Sequence, residues 1–287
     1  MSLSSHHLEA FHAVAQTLHF SRAARRLHIT QPALSQRIQL LEEELRTAVF
    51  LRAKSGVKLT EAGERLLRYC QIREALEQEV MTDLKTSRGG RTGELKGILR
   101  IGGFSSVMRS VALPALAPLM RQNVGIVLHL LMREVADLPA LLKSGEIDYM
   151  LLDRSLGRSD IEEMPLGTEF NVLAEAVRGQ SPGDVFLDHD PEDLTTERFW
   201  QQQQPRPKRY ERRYLDDIYG IIDAIALCIG RGVVPRHMIA QDPRIREVKG
   251  LKPLAIPVVL HFPKQPYYSR LHEALLRAMA QHRGLLS

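Results

Sequence analysis

Several protein classes are excluded by what the chain has little of. Its 287 residues contain two cysteines, Cys70 and Cys228, too few for a disulfide framework and in keeping with a reducing compartment. The longest apolar runs, over residues 111–120 and 125–132, fall short of the ~20 residues a membrane-spanning helix needs. Residues 1–7 are polar with no apolar stretch behind them, so no signal peptide is read and a soluble cytoplasmic protein without a membrane partner is expected. Catalytic signatures are missing too. The segment GFSSV lacks the second glycine of a nucleophile elbow, so Ser105 has no catalytic frame. Gly230-Arg-Gly232 does not extend to GxGxxG, and no Walker-type loop occurs. His6, His7, Glu9 and His12 lie close in sequence, but without an HExxH pattern or a cysteine pair they read as ordinary surface histidines. No enzyme activity, metal or cofactor is expected.

What the chain does have is a globular composition, 44% hydrophobic and 25% charged, and a length that suggests two or three domains. The net charge of +5 is unevenly spread. Residues 1–60 hold eight Lys/Arg against four Asp/Glu, whereas residues 61–96 balance and residues 97–287 carry 24 basic against 23 acidic. A local basic surplus fits either an anionic partner for that segment or an arginine-rich solvated surface.

Periodicity divides the chain into three pieces. In the first, Leu8, Phe11, Ala15 and Leu18 recur at helical spacing, predicting a helix over residues 4–18. Ser21 is a candidate N-cap for a short helix over 22–27, and Gln31–Pro32 opens a third, with Leu34, Ile38, Leu41 and Leu45 in one stripe. Two extended runs, 49–52 and 57–59, would form a small wing. The second piece is a long helix over 60–87, with Thr60 as its N-cap and a seam of Leu66, Tyr69, Leu76, Val80 and Leu84 that Arg73 interrupts. Such a helix either pairs with a second copy or packs along its own domain; heptad logic favours the pair. The stretch RGGRTG, residues 88–93, reads as a flexible linker. In the third piece strands are predicted at 98–102, 126–131, 147–152, 172–177, 209–215 and 255–262. Helices are predicted at 107–121, 138–143, 217–229 and 268–282. This alternation implies βαβ units and a mostly parallel sheet.

Residues 20–39, FSRAARRLHITQPALSQRIQ, read as helix, tight turn, helix. Leu27, Ile29, Leu34 and Ile38 would share a core, with the small Ala24 where the helices cross. Thr30, Gln31, Pro32, Ser35, Gln36 and Gln39 would form an uncharged polar tip suited to base edges. Arg22, Arg25, Arg26, Arg37, Arg52 and Lys54 surround it and could neutralise phosphates. A plain three-helix bundle with a polar surface is the alternative.

The stretch from AFHAVAQ through SRAARRLHITQPALSQRIQLLEEEL, followed by VFLR and KLTEAGERLL, closely resembles the N-terminal domain of LysR-type transcriptional regulators. More weakly, GILRIG, LLKSGEIDYMLLD and CIGRGVVPRHMI resemble segments of that family's effector domain. The resemblance implies an α/β multidomain fold with three parts. A winged helix-turn-helix would span residues 1–59, and a long linker helix and hinge 60–93. A two-lobed periplasmic-binding-protein-like effector domain would span 94–287, lobe 1 being about 94–166 and 263–287 and lobe 2 about 167–262. It implies sequence-specific binding of double-stranded DNA, a homodimer through the linker helix, often paired into a homotetramer, and a small-molecule effector between the lobes. RNA polymerase is a further partner it allows. The DNA-contacting set would be Ser21, Arg22, Thr30, Gln31, Pro32, Ser35, Gln36, Arg37, Gln39, Arg52 and Lys54. The chain departs from the family pattern at Arg46-Thr-Ala-Val-Phe50, which must close a turn without Gly or Pro, and at Leu40 and Leu51. For the effector, the hydroxyls and amides of Ser105 and Ser106 either hold an anion such as a carboxylate or cap the following helix. Glu134, Val135, Asp153, Gln202 and Tyr219 would face the same cleft. The run Trp200-Gln-Gln-Gln-Gln204 could equally form a solvated edge strand, the favoured reading.

Overall fold

The structure, a computed structural model, describes residues 3–53, 56–86, 95–207, 209–240 and 242–282. Three helices open the chain: α1 (Ser5–Thr17), α2 (Phe20–Arg26) and α3 (Gln31–Leu45). Their apolar spacing turns Leu8, Phe11, Val14, Ala23, Ala24, Leu34, Ile38 and Leu41 into one core. Strands β1 (Phe50–Ala53) and β2 (Gly56–Leu59) pair antiparallel, Phe50 opposite Leu59, as the wing. The rings of Phe11 and Phe20 lie 5.2 and 6.0 Å from that of Phe50, which ties the wing to the helices. Ser21 is not the cap expected of it. Buried Phe20 takes the first helical position, His19 becomes the N-cap, and Ser21 falls inside the first turn.

The turn from α3 to the wing closes without glycine because Arg46 adopts the left-handed conformation, φ 52°. The Thr47 N–H then returns to the Glu42 carbonyl, the arrangement that commonly ends helices at glycine. The Glu42 side chain completes the corner. Its Oε1 accepts from the N–H groups of Val49 (2.8 Å) and Phe50 (3.3 Å).

Helix α4 (Glu61–Thr86) is capped by Thr60, whose Oγ1 accepts from the Gly63 N–H at 3.0 Å. Gly63 is required by close approach: a Cβ there would sit 2.1 Å from the Val49 carbonyl oxygen. The expected single seam is divided among three surroundings. Leu66, with Leu67 and Cys70, joins the helical core, whereas Tyr69 and Val80 are exposed. A second face, which the sequence reading did not separate, packs on the chain's own third piece. Gln71 Nε2 donates to the Gly145 carbonyl (3.2 Å), Glu64 pairs with Lys143 (3.3 Å), and Glu79 accepts from the Tyr267 hydroxyl and the Arg270 N–H. The Leu84 side chain and the predicted linker, residues 88–93, lie outside the described residues.

The remainder follows as β3 (Gly97–Gly103), α5 (Ser105–Val107), a π-helical turn (Met108–Ala112), α6 (Leu113–Gln122), β4 (Ile126–Met132), α7 (Leu138–Ser144) and β5 (Tyr149–Leu152). After these come β6 (Ile161–Ala176), β7 (Val185–Asp188), α8 (Thr195–Gln201), β8 (Glu211–Tyr214), α9 (Ile218–Ala226) and β9 (Arg231–Pro235). The chain ends with α10 (Arg236–Ile239), β10 (Ile245–Glu247), β11 (Leu254–Pro263) and α11 (Arg270–Gln281). One sheet runs in the order β4-β3-β5-β11-β6-β9-β7-β8, with β10 against β6. It is mixed rather than mostly parallel. Pairs β3–β4, β3–β5, β7–β8 and β7–β9 are parallel, but β11 and β6 run antiparallel to each other and to their outer neighbours. The reason is topological. β6 and β11 are long strands that carry the chain from one lobe to the other and back, and the predicted strand at 172–177 is only the far end of β6. On one side of this crossing lies a core around Leu99, Ile101, Leu116, Leu260 and Leu275, and on the other a core around Leu187, Ile221, Ile225 and Val234. Strands β7, β9 and β10 were not legible because they are three to five residues long and, in β7, buried at every position, which erases the alternation a strand is read by. The glutamine run is not an edge strand. It closes α8, and Gln203, buried, donates to the carbonyls of Phe199 and Lys252 and accepts from the Lys252 N–H.

Candidate nucleic-acid interface and interlobe cleft

Helix α3 presents two different faces. Leu34, Ile38 and Leu41 are inside, while Gln31, Pro32, Gln36 and Gln39 are exposed and Ser35 is half-buried. Thr30 Oγ1 accepts from the Ala33 N–H at 3.3 Å and so fixes the helix start. Around this tip, Arg22 is exposed and Arg37 half-buried, and neither forms an ion pair among the described residues. Arg25 Nε donates to the Ser21 carbonyl, and Arg26 to the Gln16 side chain. Gln39 donates to Glu43 at 3.1 Å. Arg52 lies on β1 opposite Val57, and Lys54 lies outside the described residues. The result is a surface of uncharged polar groups beside guanidinium groups that form no ion pair among the described residues, which can meet base edges and phosphates at once.

Between the lobes a second group of polar side chains converges. Ser106, at the start of α5, is 6% exposed; Glu169 and Asn171, two apart on β6 and therefore on one face of it, are 3% and 4% exposed. His237 on α10 approaches Glu169 Oε1 to 4.0 Å. Glu169 Oε1, Asn171 Nδ2 and His237 Nε2 are buried and have no hydrogen-bond partner. Burial pushes the Glu169 carboxyl up to about 7, only partly offset by the neighbouring Ser106 and Asn171 side chains. Burial likewise lowers the His237 imidazole. Nearby, the Arg109 guanidinium of the π-helical turn lies 3.7 Å from the ring centre of Tyr219 on α9, a cation–π contact that bridges the lobes.

Of the sequence-predicted effector residues, the structure thus brings Ser106 into the polar group and sets Tyr219 against Arg109. Ser105, half-buried, is the first residue of α5. Val135 packs with Leu138 and Leu142, and Asp153 pairs with Arg154 at 2.8 Å. Glu134 and Gln202 are exposed and make no side-chain hydrogen bond among the described residues. Sequence reasoning missed Glu169, Asn171, His237 and Arg109. A signal for two of them existed: Glu169 and Asn171 occupy alternate positions directly before the apolar run Val172-Leu173-Ala174.

A helix-turn-helix with a wing, joined by a long helix to a two-lobed domain with buried polar groups between its lobes, defines a DNA-binding regulator with a ligand-sensing domain. Comparison with known proteins agrees. The family described as "Bacterial regulatory helix-turn-helix protein, lysR family" matches residues 5–64, and the "LysR substrate binding domain" matches residues 92–284. The chain belongs to the LysR family of transcriptional regulators. It is 39% identical over 148 residues to the HTH-type transcriptional regulator BudR of Klebsiella aerogenes, covering 50% of this chain and 97% of that one. It is 44% identical over 101 residues to AlsR of Bacillus subtilis, covering 35% of this chain and 32% of AlsR. Among solved structures, ArgP of Mycobacterium tuberculosis superposes with a TM-score of 0.79 at 18% identity, covering 99% of this chain and 98% of that one. The full-length regulator LysG of Corynebacterium glutamicum, with bound effector Arg, does so with a TM-score of 0.74 at 20% identity, covering 98% of each chain. Family members are regulators rather than enzymes, and among the described residues no helix is long and apolar enough to cross a membrane.

Proposed function

We propose that the first sixty residues dock α3 in the major groove of double-stranded DNA. Gln31, Ser35, Gln36 and Gln39 would read bases, and Ser21, Arg22, Thr30, Arg37, Arg52 and Lys54 would hold the backbone. Two such heads, joined by a dimer of α4, would occupy two half-sites, and a pair of dimers would extend the contact. The exposed stripe of Tyr69, Val80 and Met81 on α4 supports that pairing. A small effector held between the lobes near Ser106 and Tyr219 favours one lobe angle and so shifts the spacing of the heads. The observation that carries the reading is the uncharged, solvent-facing N-terminal tip of α3 beside unpaired arginines.

Gel shifts with the full chain and promoter fragments test it. Binding is expected to weaken steeply with salt. Arg22→Ala and Arg37→Ala should weaken all sequences alike, each reducing the slope of log K against log salt by about 0.9. Gln36→Ala should relax sequence preference at one position per half-site. Binding indifferent to salt, or an Arg22→Ala effect confined to one sequence, refutes the assignment.

A further inference from the structure

Among the described residues two carboxylate side chains are buried, Asp188 and Glu169. Asp188 has a full set of partners: Arg212 Nε (2.5 Å) and the Thr196 hydroxyl (2.5 Å) both bond it. Half-buried acids in this domain are provided for as well. Asp148 accepts from Arg100 at 3.3 Å, and Glu163 from the Ser155 hydroxyl and the N–H groups of Leu156 and Gly157. Glu169 is the exception. Among the described residues no lysine or arginine is paired with it, and its Oε1 has no hydrogen-bond partner, only the His237 ring 4.0 Å away. Arg236, which follows Pro235 opposite Asn171, is committed to Glu247 (3.1 Å), and Arg109 to the Tyr219 ring.

A buried carboxylate without a counter-charge is costly, and its neutral form is favoured instead. We propose that the ligand of this cleft supplies the missing charge: an ammonium, amidinium or guanidinium group seated against Glu169, with the ligand's other polar atoms meeting Asn171 and His237. The inference rests on the effector reading above and deepens it by fixing the sign of the effector. It replaces the carboxylate suggested by the serines at 105–106. Asn171 Nδ2 and His237 Nε2, also unpartnered, leave hydrogen-bonding capacity for such a molecule.

The sign gives a pH signature. The groups facing Glu169 are Ser106 from α5, Asn171 from its own strand and His237 from α10, whose imidazole burial lowers from its ordinary value. A cation therefore competes with the proton on Glu169 and binds more tightly as pH rises, whereas a carboxylate ligand would need that proton and bind more tightly as pH falls. Calorimetric titration of the full chain with n-propylammonium and with propionate, both of constant charge over the range, separates the two. The expected result is propylammonium binding about tenfold tighter at about pH 8 than at about pH 6, lost in Glu169→Gln, which keeps the side-chain shape. Propionate binding in place of propylammonium, equal propylammonium binding by Glu169→Gln, or binding of neither probe overturns the proposal. A gel shift on the same preparation distinguishes that failure from failure of the regulator reading: retained operator binding leaves the regulator standing without a cationic effector.

Discussion

Replacing Glu42 with alanine should release the corner between α3 and the wing. Its carboxylate accepts from the N–H groups of Val49 at 2.8 Å and Phe50 at 3.3 Å, and both residues are buried, at 0% and 7% exposure. A hydrogen bond to a charged group contributes about 1.5–3 kcal/mol, and a buried donor left alone costs about 1–3 kcal/mol. With one short and one long bond, the sum is about 2–4 kcal/mol. The single tryptophan, Trp200, lies in the distant lobe and does not report on this corner. Amide hydrogen exchange at Val49 and Phe50 does. Local opening should become about 30- to 800-fold more frequent, since each 1.4 kcal/mol is about tenfold. Glu42→Gln, which keeps an acceptor oxygen without the charge, should lose about 1 kcal/mol. Protection of both amides within about twofold of wild type in Glu42→Ala would show that the Phe50 aromatic contacts alone hold the wing, and the argument would fail.

Arg46→Gly should stabilise the same domain by about 1 kcal/mol in urea unfolding, because a left-handed non-glycine residue is strained by about that amount. His272, stacked 4.2 Å from the Tyr268 ring and bonded to the Tyr149 hydroxyl, is lowered by burial to about 4 from an ordinary value of 6.5. The unfolded chain takes up that proton first, so stability should fall as pH drops from about 6.5 towards 4 and then level. His12, His237 and His261, also lowered, add to the wild-type slope, so the check is the difference between wild type and His272→Gln over that window in thermal unfolding. Val80→Glu, on the open stripe of α4, should shift the sedimenting species towards monomer while leaving the fold intact; an unchanged species would move the dimer contact elsewhere.

The periodic elements were legible in the sequence because local rules govern them. α1, α3, α4, α7 and α11 carry their apolar residues at helical spacing, Thr60 caps its helix, and the polar tip of α3 stands directly in the run ITQPALSQRIQ. What only the tertiary structure decided depends on groups far apart in the chain. The direction of β6 and β11 follows from two lobes sharing one sheet, which no local pattern encodes. The two roles of α4 emerge only once Gly145 and Arg270 are placed against it. The surroundings of Glu169 are a sum over α5, β6 and α10: a carboxyl between a threonine and a phenylalanine looks ordinary in sequence, and only the packing of those elements buries it with no lysine or arginine paired to it among the described residues.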